Sequence, residues 1–242
     1  MRKTLVTGVC LAALLSAGAA LADAAMDQVR ERVQQLVPDG TPSYIGATGV
    51  GDLYEVRYGV QTFYISADGR FAIQGELVEL ETMENLTAVS RAQGRLELLA
   101  ELPTEGMVTY PASGEHRHTI TVFTDVDCPY CRRLHEEVPE LNANGVEVRY
   151  LMFPRAGEGS ATYTKMVNVW CADDKRAAMD RVKDGETIES RQCEVPAEAH
   201  VAAGQLMGVN GTPAMLLESG DLVPGYRPAD EINRLLEQLV RR

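Results

Sequence analysis

Apolar and polar residues alternate with a period of two over Leu53 to Tyr58, Gln61 to Ser66 and Phe71 to Leu80, which predicts three strands, and Ala67-Asp68-Gly69-Arg70 reads as a hairpin turn between the last two. A short amphipathic helix is expected ahead of them, over residues 26–37. Together these make a small α+β unit. From Asn85 to Leu102 the period lengthens to that of a helix, with Gly94 as its weak point, and Pro103 stops it. The chain therefore reads as a first domain over residues 23–84, a linker helix over 85–103 and a second domain over 104–242.

In the second domain the pattern predicts a buried strand at Thr119 to Thr124, a helix over 129–143, and a strand from Val146 to Phe153. A helical segment over about 158–207 follows, then a strand from Ala214 to Glu218, a turn at Ser219-Gly220, a short strand at Leu222-Val223, and a last helix from about Pro228 to Val240. Strand, helix, strand, then a strand hairpin and a helix is the α/β thioredoxin-like layout, here with a helical insertion in its middle. Pro139 falls inside the first of these helices and should kink or end it near Val138.

The amino terminus bears on the compartment. Arg2 and Lys3, an apolar run from Leu5 to Ala20 and the A-x-A pattern Ala20-Leu21-Ala22 predict a secretory signal peptide over residues 1–22, cleaved near Ala22 to leave Asp23 first. An uncleaved membrane anchor is the alternative, weakened by the shortness of the run. Cys10 would leave with the signal. The 23 basic residues become 21 once Arg2 and Lys3 are gone, against 35 acidic ones, a net charge of −14. Such acidity argues against nucleic acid or an anionic membrane surface as partner, and for a soluble protein.

Four cysteines then remain, Cys128, Cys131, Cys171 and Cys193, an even number in an oxidising setting. Cys128-Pro129-Tyr130-Cys131 sits where a strand hands over to a helix. There the free backbone N–H groups and the positive end of the helix dipole stabilise a thiolate, and proline is tolerated because the first turn has no N–H partner to lose. Cys128 is the expected attacking sulfur and Cys131 its internal partner. Asp127 works against the thiolate and Arg132 and Arg133 work for it, which leaves its acidity open. Half of a zinc site is a competing reading, but the other cysteines form no second close pair. A purely structural bridge gains little across so short a loop. If the first two cysteines are the redox pair, Cys171 and Cys193 are free to pair with each other, closing a loop worth roughly 3 kcal/mol in the chain-entropy model. A second redox relay is the alternative for them, without a helix-start pair to support it.

Gly211-Thr212-Pro213 is the second motif. A proline just before a good strand is confined to the strand start, and X-Pro bonds alone become cis at modest cost. In the thioredoxin layout this proline is cis and faces the cysteine pair, leaving the Thr212 backbone beside Cys128 for an extended substrate strand. His135 lies near the face of the two cysteines but reads more simply as a helix-surface residue, and His116 and His118 as solvated ones.

The run TDVDCPYCRRLHEEVPELNANGVEVRYLMFPR, the later GVNGTPAMLLESGDLVPGYRP, the pair Cys171 and Cys193 and the small β-rich first domain with its helical linker together resemble the periplasmic DsbC/DsbG family of disulfide isomerases. The likeness covers essentially the whole chain after the signal. It implies a homodimer joined through its N-terminal domains, an apolar cleft for misfolded disulfide-containing exported proteins, and a membrane thiol reductase of the DsbD type as electron donor. It also implies Cys128 as nucleophile, Cys131 as partner, and Pro129, Tyr130, Thr212 and Pro213 around the bound substrate, with Cys171 and Cys193 as a structural disulfide. Phe153, Pro154 and Arg155 match the DsbC branch, whereas Pro129 departs from the glycine typical there and is more usual in the DsbG branch. The alternatives are accordingly a chaperone-like DsbG-type reductase of oxidised single cysteines and a DsbA-like oxidase. From a different class comes a chaperone whose cleft, not its thiols, does the work. The exchange chemistry calls for no metal and no organic cofactor.

Overall fold

The computed structural model describes residues 24–240, which divide between Ala88 and Val89 into two compact units. The signal-peptide expectation, over residues 1–22, lies outside the described residues. Among these, no helix is long and apolar enough to cross a membrane.

The first unit is a helix, α1 (residues 24–36), packed on a four-stranded antiparallel meander, β1 (Tyr44–Ala47), β2 (Leu53–Tyr58), β3 (Gln61–Ser66) and β4 (Ala72–Ile73). Val29 and Val33, one helical turn apart, meet Tyr54, Val56 and Ile65 from the sheet, as the two periodicities require. The strands at 53–58 and 61–66 stand where alternation places them. The third is a correction. Instead of spanning Phe71 to Leu80 it keeps two residues, paired Tyr64 to Ile73 and Ile65 to Ala72. Gln74-Gly75 follows, and a glycine there has no side chain to pack across the ladder. The four-residue β1 lacked a long enough alternation to be predicted. Beyond the sheet, the Thr87 hydroxyl accepts from the Leu77 N–H (2.7 Å) and bonds the Tyr64 hydroxyl.

Helix α2 (Leu86–Ala100) is capped by the Asn85 side chain, which accepts from the Ala88 N–H (2.9 Å), and it runs unbroken through Gly94. Its last turns belong to the second unit. Arg95 donates to the carbonyls of Met207 (3.0 Å) and Gly220 (3.2 Å), while Leu98, Leu99 and Leu102 join an apolar cluster with Phe123, Leu151 and Met207.

The second unit is a five-stranded sheet in the order β5-β7-β6-β8-β9: β5 (Val108–Tyr110), β6 (His118–Thr124), β7 (Val146–Met152), β8 (Ala214–Leu216) and β9 (Leu222–Pro224). The β6–β7 pair is parallel and the others antiparallel. Ile120, Val122, Val148 and Tyr150 lie in one apolar cluster, Phe123 and Leu151 in the other, so the central strands are buried on both faces. The expected helix over 129–143 is two helices, α3 (Pro129–Glu136) and α4 (Val138–Ala143), broken at Glu137 with Pro139 in the first turn of the second. The break has a use: the Glu137 carboxylate accepts from the Ala229 N–H (3.0 Å) at the start of α8 (Ala229–Val240) and from the Tyr226 hydroxyl.

The insertion is not one helical segment. It consists of α5 (Ala161–Trp170), capped by Ser160, α6 (Lys175–Lys183), capped by Asp174, and α7 (Ala197–Leu206), with a non-helical return over residues 186–196. The caps divide it, since each side-chain oxygen satisfies the first N–H groups of a new helix. Gly204 lets α7 approach the sheet: a Cβ there would lie 2.8 Å from Phe153 and 3.0 Å from Phe123.

His200, on α7, is wholly buried; its Nδ1 accepts from the Met152 N–H (3.1 Å) and its Nε2 has no partner. Burial pushes its pKa from 6.5 down to about 4. The unfolded chain therefore takes up a proton that the folded chain refuses. The stability His200 contributes is complete above pH 6.5 and is lost as pH falls toward 4, by up to about 3 kcal/mol. In denaturant titrations, His200→Gln, which keeps an acceptor for Met152, should be less stable at neutral pH yet fall less steeply than wild type over that window. Parallel curves would remove His200 from the acid response.

Candidate functional site

Pairing of β8 with β6 builds the site. Phe123 faces Ala214, so the residues before Ala214 come level with the chain leaving β6 at Thr124. Those residues are Thr212 and Pro213, joined by a cis peptide bond. The chain leaving β6 passes through Asp125, Val126 and Asp127 to Cys128, which is the N-cap of α3, with Pro129 in the first turn. The Cys128 carbonyl accepts from the Arg132 N–H (3.0 Å) as the helix begins. Its Sγ donates to the Thr212 carbonyl at 3.3 Å. Cys128 and Cys131 are free thiols, each only 1% exposed, whereas Pro129 and Tyr130 between them are exposed. Cys128, Cys131, Thr212 and Pro213 thus come together. Cys171 and Cys193 are apart from them, joined in a disulfide across 22 positions, from the end of α5 to the return before α7.

The two thiols differ in acidity. Burial alone would raise both. At Cys128 the Cys131 backbone N–H, the Thr212 hydroxyl, the Cys131 thiol and the Arg155 guanidinium outweigh it and bring the pKa below the usual thiol value. At Cys131 burial prevails over Lys183, the Asp125 backbone and the hydroxyls of Thr212 and Thr124, and the pKa is raised. The buried Thr212 hydroxyl has no hydrogen-bond partner among the described residues and is one of the groups that lower both thiols.

The charges expected to act on Cys128 are rearranged. Asp127 does not oppose the thiolate unaided: its carboxylate binds Lys165 (2.8 and 3.0 Å), Thr162 (2.7 Å) and Arg132 (3.3 Å). Burial would raise its pKa, but Lys165, Thr162 and Arg132 hold it below the usual carboxylate value. Arg133 lies over the Tyr226 ring, 4.6 Å from its centroid, rather than at the thiols. The cations that do act are Arg155 and Lys183. Arg155 is anchored by Asp125, whose Oδ2 accepts from its backbone N–H (3.0 Å) and its Nε (3.2 Å). Phe153-Pro154-Arg155 was visible in the sequence as a family marker, without a role. Lys183 ends a polar helix and carried no signal at all.

His135 is a correction too. It is not a surface residue: its side chain is 10% exposed, with Nδ1 3.1 Å from the Tyr150 hydroxyl and Nε2 3.1 Å from Asp180. Burial, with Lys183 nearby, lowers its pKa. A three-to-four spacing from the cysteines puts it on their inward face, a signal the charge of the helix masked. His118, also expected in solvent, is mostly covered and meets Glu218 (3.1 Å), while His116 is exposed beside Thr119. Among the described residues no group of three or more His, Cys, Asp or Glu is placed to hold a metal ion. What the arrangement offers is thiol–disulfide exchange: one acidic sulfur at a helix start, one poised behind it, and an open backbone edge opposite.

Residues 105–240 match the sequence model of a thioredoxin-like domain, and residues 18–88 that of the disulfide bond isomerase protein N-terminal domain. The thiol:disulfide interchange protein DsbC of Escherichia coli is 41% identical over 175 residues, 72% of each chain. That of Salmonella typhimurium is 35% identical over 238 residues, 98% of this chain and 97% of the relative. Among solved structures, the disulfide interchange protein from Neisseria gonorrhoeae superposes with a TM-score of 0.51 at 26% identity, covering 57% of this chain and 97% of that one.

The unequal thiols give a direct test. Substoichiometric iodoacetamide at neutral pH should alkylate Cys128 at least about tenfold faster than Cys131, read by peptide mass spectrometry. Arg155→Met should slow the Cys128 reaction severalfold by removing the nearby cation. Equal labelling, or Cys131 first, would contradict the asymmetry.

Proposed function

Since the chain belongs to the DsbC family of thiol:disulfide interchange proteins and is a thiol-disulfide oxidoreductase with disulfide isomerase activity, we propose that Cys128 is the sulfur that attacks substrate and Cys131 the one that resolves. The observation that carries this is their opposite shift in acidity, with the acidic sulfur at the N-cap of α3 and against the Thr212 carbonyl. The Cys128 thiolate attacks a sulfur of a wrong disulfide; the S–S bond breaks, a mixed disulfide forms and the second substrate sulfur leaves as a thiolate. Ionisation of Cys128 also removes the S–H that occupied the Thr212 carbonyl, which opens that acceptor to a substrate backbone N–H. Exposed Pro129 and Tyr130 flank the approach.

Two exits follow. If the freed substrate thiolate attacks another disulfide and finally releases Cys128, the substrate has been isomerised and the enzyme is unchanged. If Cys131 attacks first, the substrate leaves reduced and the enzyme holds a Cys128–Cys131 disulfide, which a membrane thiol reductase of the DsbD type reopens with two electrons. The site of action is the periplasm, reached by a signal over residues 1–22, and the substrates are exported proteins with incorrect disulfides.

The working form is a homodimer joined through the first unit. Its β4 edge carries exposed Phe71 and Ile73, followed by exposed Leu80 and Met83, and an apolar sheet edge of that kind is a ready partner for a second copy. The alternation that runs on to Leu80 fits a strand completed by the partner. Cys171–Cys193 is the structural disulfide.

Cys128→Ser should abolish refolding of a scrambled multi-disulfide substrate, while Cys131→Ser keeps part of it and accumulates mixed disulfides. Unchanged activity in Cys128→Ser would sink the assignment. A chain beginning at Val89 should sediment as a monomer, still reduce insulin and isomerise poorly. Isomerisation at the full-length rate, or a full-length monomer at micromolar concentration, would remove the dimer from the mechanism.

A further inference from the structure

Lys183 is the last residue of α6, a helix polar enough to pass for a solvated one, yet it is 3% exposed. Its Nζ donates to the Thr124 hydroxyl at 2.7 Å and to the Asp125 carbonyl at 3.2 Å, and lies over the Tyr150 ring, 5.6 Å from the centroid. It makes no ion pair among the described residues. The carboxylate of Asp125, whose carbonyl binds the ammonium, is committed to Arg155 and to the Asp127 N–H. A buried ammonium without a carboxylate is an expensive arrangement, and a hydrophobic side chain of the same length would fill the space between Tyr150 and α3 without that penalty. The other groups whose negative charge acts on it are the sulfurs of Cys131 and Cys128. Thr124, having accepted from the ammonium, has its own hydroxyl proton free to donate, and it is among the groups that favour the charged form of Cys131.

We propose that Lys183 is a positioning residue for the second half of the reaction: through Thr124, its charge favours the Cys131 thiolate and so sets how long a mixed disulfide on Cys128 survives before it is resolved. This rests on Cys128 and Cys131 having the roles proposed above. In the step concerned, Cys131 loses its proton to solvent and its sulfur attacks the Cys128 sulfur. The Cys128–substrate S–S bond breaks, the Cys128–Cys131 bond forms, and the substrate sulfur leaves as a thiolate that takes a proton from solvent. The two electrons pass to the substrate.

The surroundings agree. Burial lowers the Lys183 pKa to about 8, and among the groups that hold it up Cys131 is the foremost, ahead of Asp125 and Cys128. Lys183 in turn is the foremost group lowering Cys131. The titratable and charged groups facing the ammonium are Cys128, Cys131, Arg132 and His135 on and before α3, Asp125 on the loop ahead of it, and Tyr150 on β7. Arg132 opposes the lysine and His135 is kept neutral, so neither replaces it as the cation for Cys131.

The test uses the reduced full chain and the aromatic disulfide dithiobis(nitrobenzoate) in stopped flow, where each turnover releases two coloured thiolates. The first phase is attack by Cys128; the second, independent of reagent concentration, is displacement by Cys131. Lys183→Met removes charge and donors; Lys183→Gln removes the charge but keeps donors for Thr124 and Asp125. In both, the pH profile of the second phase should move up by about one unit. Because a more basic sulfur is also a better nucleophile, the second phase at pH 7 should then slow by about threefold. The first phase should change less than the second. A second phase with an unmoved profile in both variants overturns the proposal, as does a shift in Lys183→Met alone, which would assign the effect to the hydrogen bonds. A first phase that persists in Cys128→Ser would instead overturn the roles given to the two cysteines.

Discussion

Pairing of β8 against β6 is the constraint on which the site depends. One register, Phe123 opposite Ala214, puts the Thr212 carbonyl and hydroxyl beside a sulfur that is distant by 84 positions in sequence. A slip of one residue would turn the β8 side chains to the other face and withdraw that carbonyl. The register is held by burial: Ile120, Val122 and Phe123 on β6 and Ala214, Met215 and Leu216 on β8 are all within 2% of full burial. Each large side chain among them contributes roughly 1.5–3 kcal/mol, so slippage is opposed by far more than one hydrogen bond to sulfur could supply.

On that rigid edge, fine control is electrostatic, and it is local. The chain carries a net charge of −12, yet the charges that reach the thiols are cations. Asp127 is tied up by Lys165, Thr162 and Arg132, and Asp125 by Arg155 and the Asp127 N–H. What remains uncompensated beneath the sulfurs is Lys183, while Arg155, although paired with Asp125, also favours the charged form of Cys128. Screening removes distant acidic side chains from the balance, while buried and partly buried neighbours are screened little. Net charge therefore bears on partners and solubility; the acidity of two sulfurs is decided by the groups packed around them.

Local patterns of the chain were legible where one physical cause dominated. Strands β2 and β3 follow from strict alternation, and the helix break near Val138 from a ring that lacks an N–H at Pro139. The placement of Cys128 and Cys131 at a helix start was legible because the strand-to-helix handover is itself local. What escaped shares a single property: it depends on pairing over long distance. Strand β4 ends early, and among the described residues its other edge has no partner strand. Strand β5 is three residues whose only warrant is pairing with β7. The roles of His135 and Arg133 depended on which face of α3 met Tyr150 and which met Tyr226. Lys183 was hidden most completely, because a polar helix that folds inward at its last residue has the same pattern as one that stays in solvent.

The insertion gains a role from this. Helix α6 is placed by its Asp174 cap and by Ala178, Met179 and Val182, which enter the main core, and Lys183, one residue on, is buried with them. The segment that follows is non-helical and would be costly to order by itself. The disulfide from Cys171 to Cys193 closes a loop that contains all of α6, and in the chain-entropy model a loop of 22 positions is worth roughly 3 kcal/mol. That is of the order of the penalty for keeping an unpaired ammonium out of water in a relaxed protein interior. Removing the disulfide would therefore take away stability that offsets the cost of the buried charge on α6. In this way a bridge remote from the two free thiols is connected to them through one helix and one buried charge.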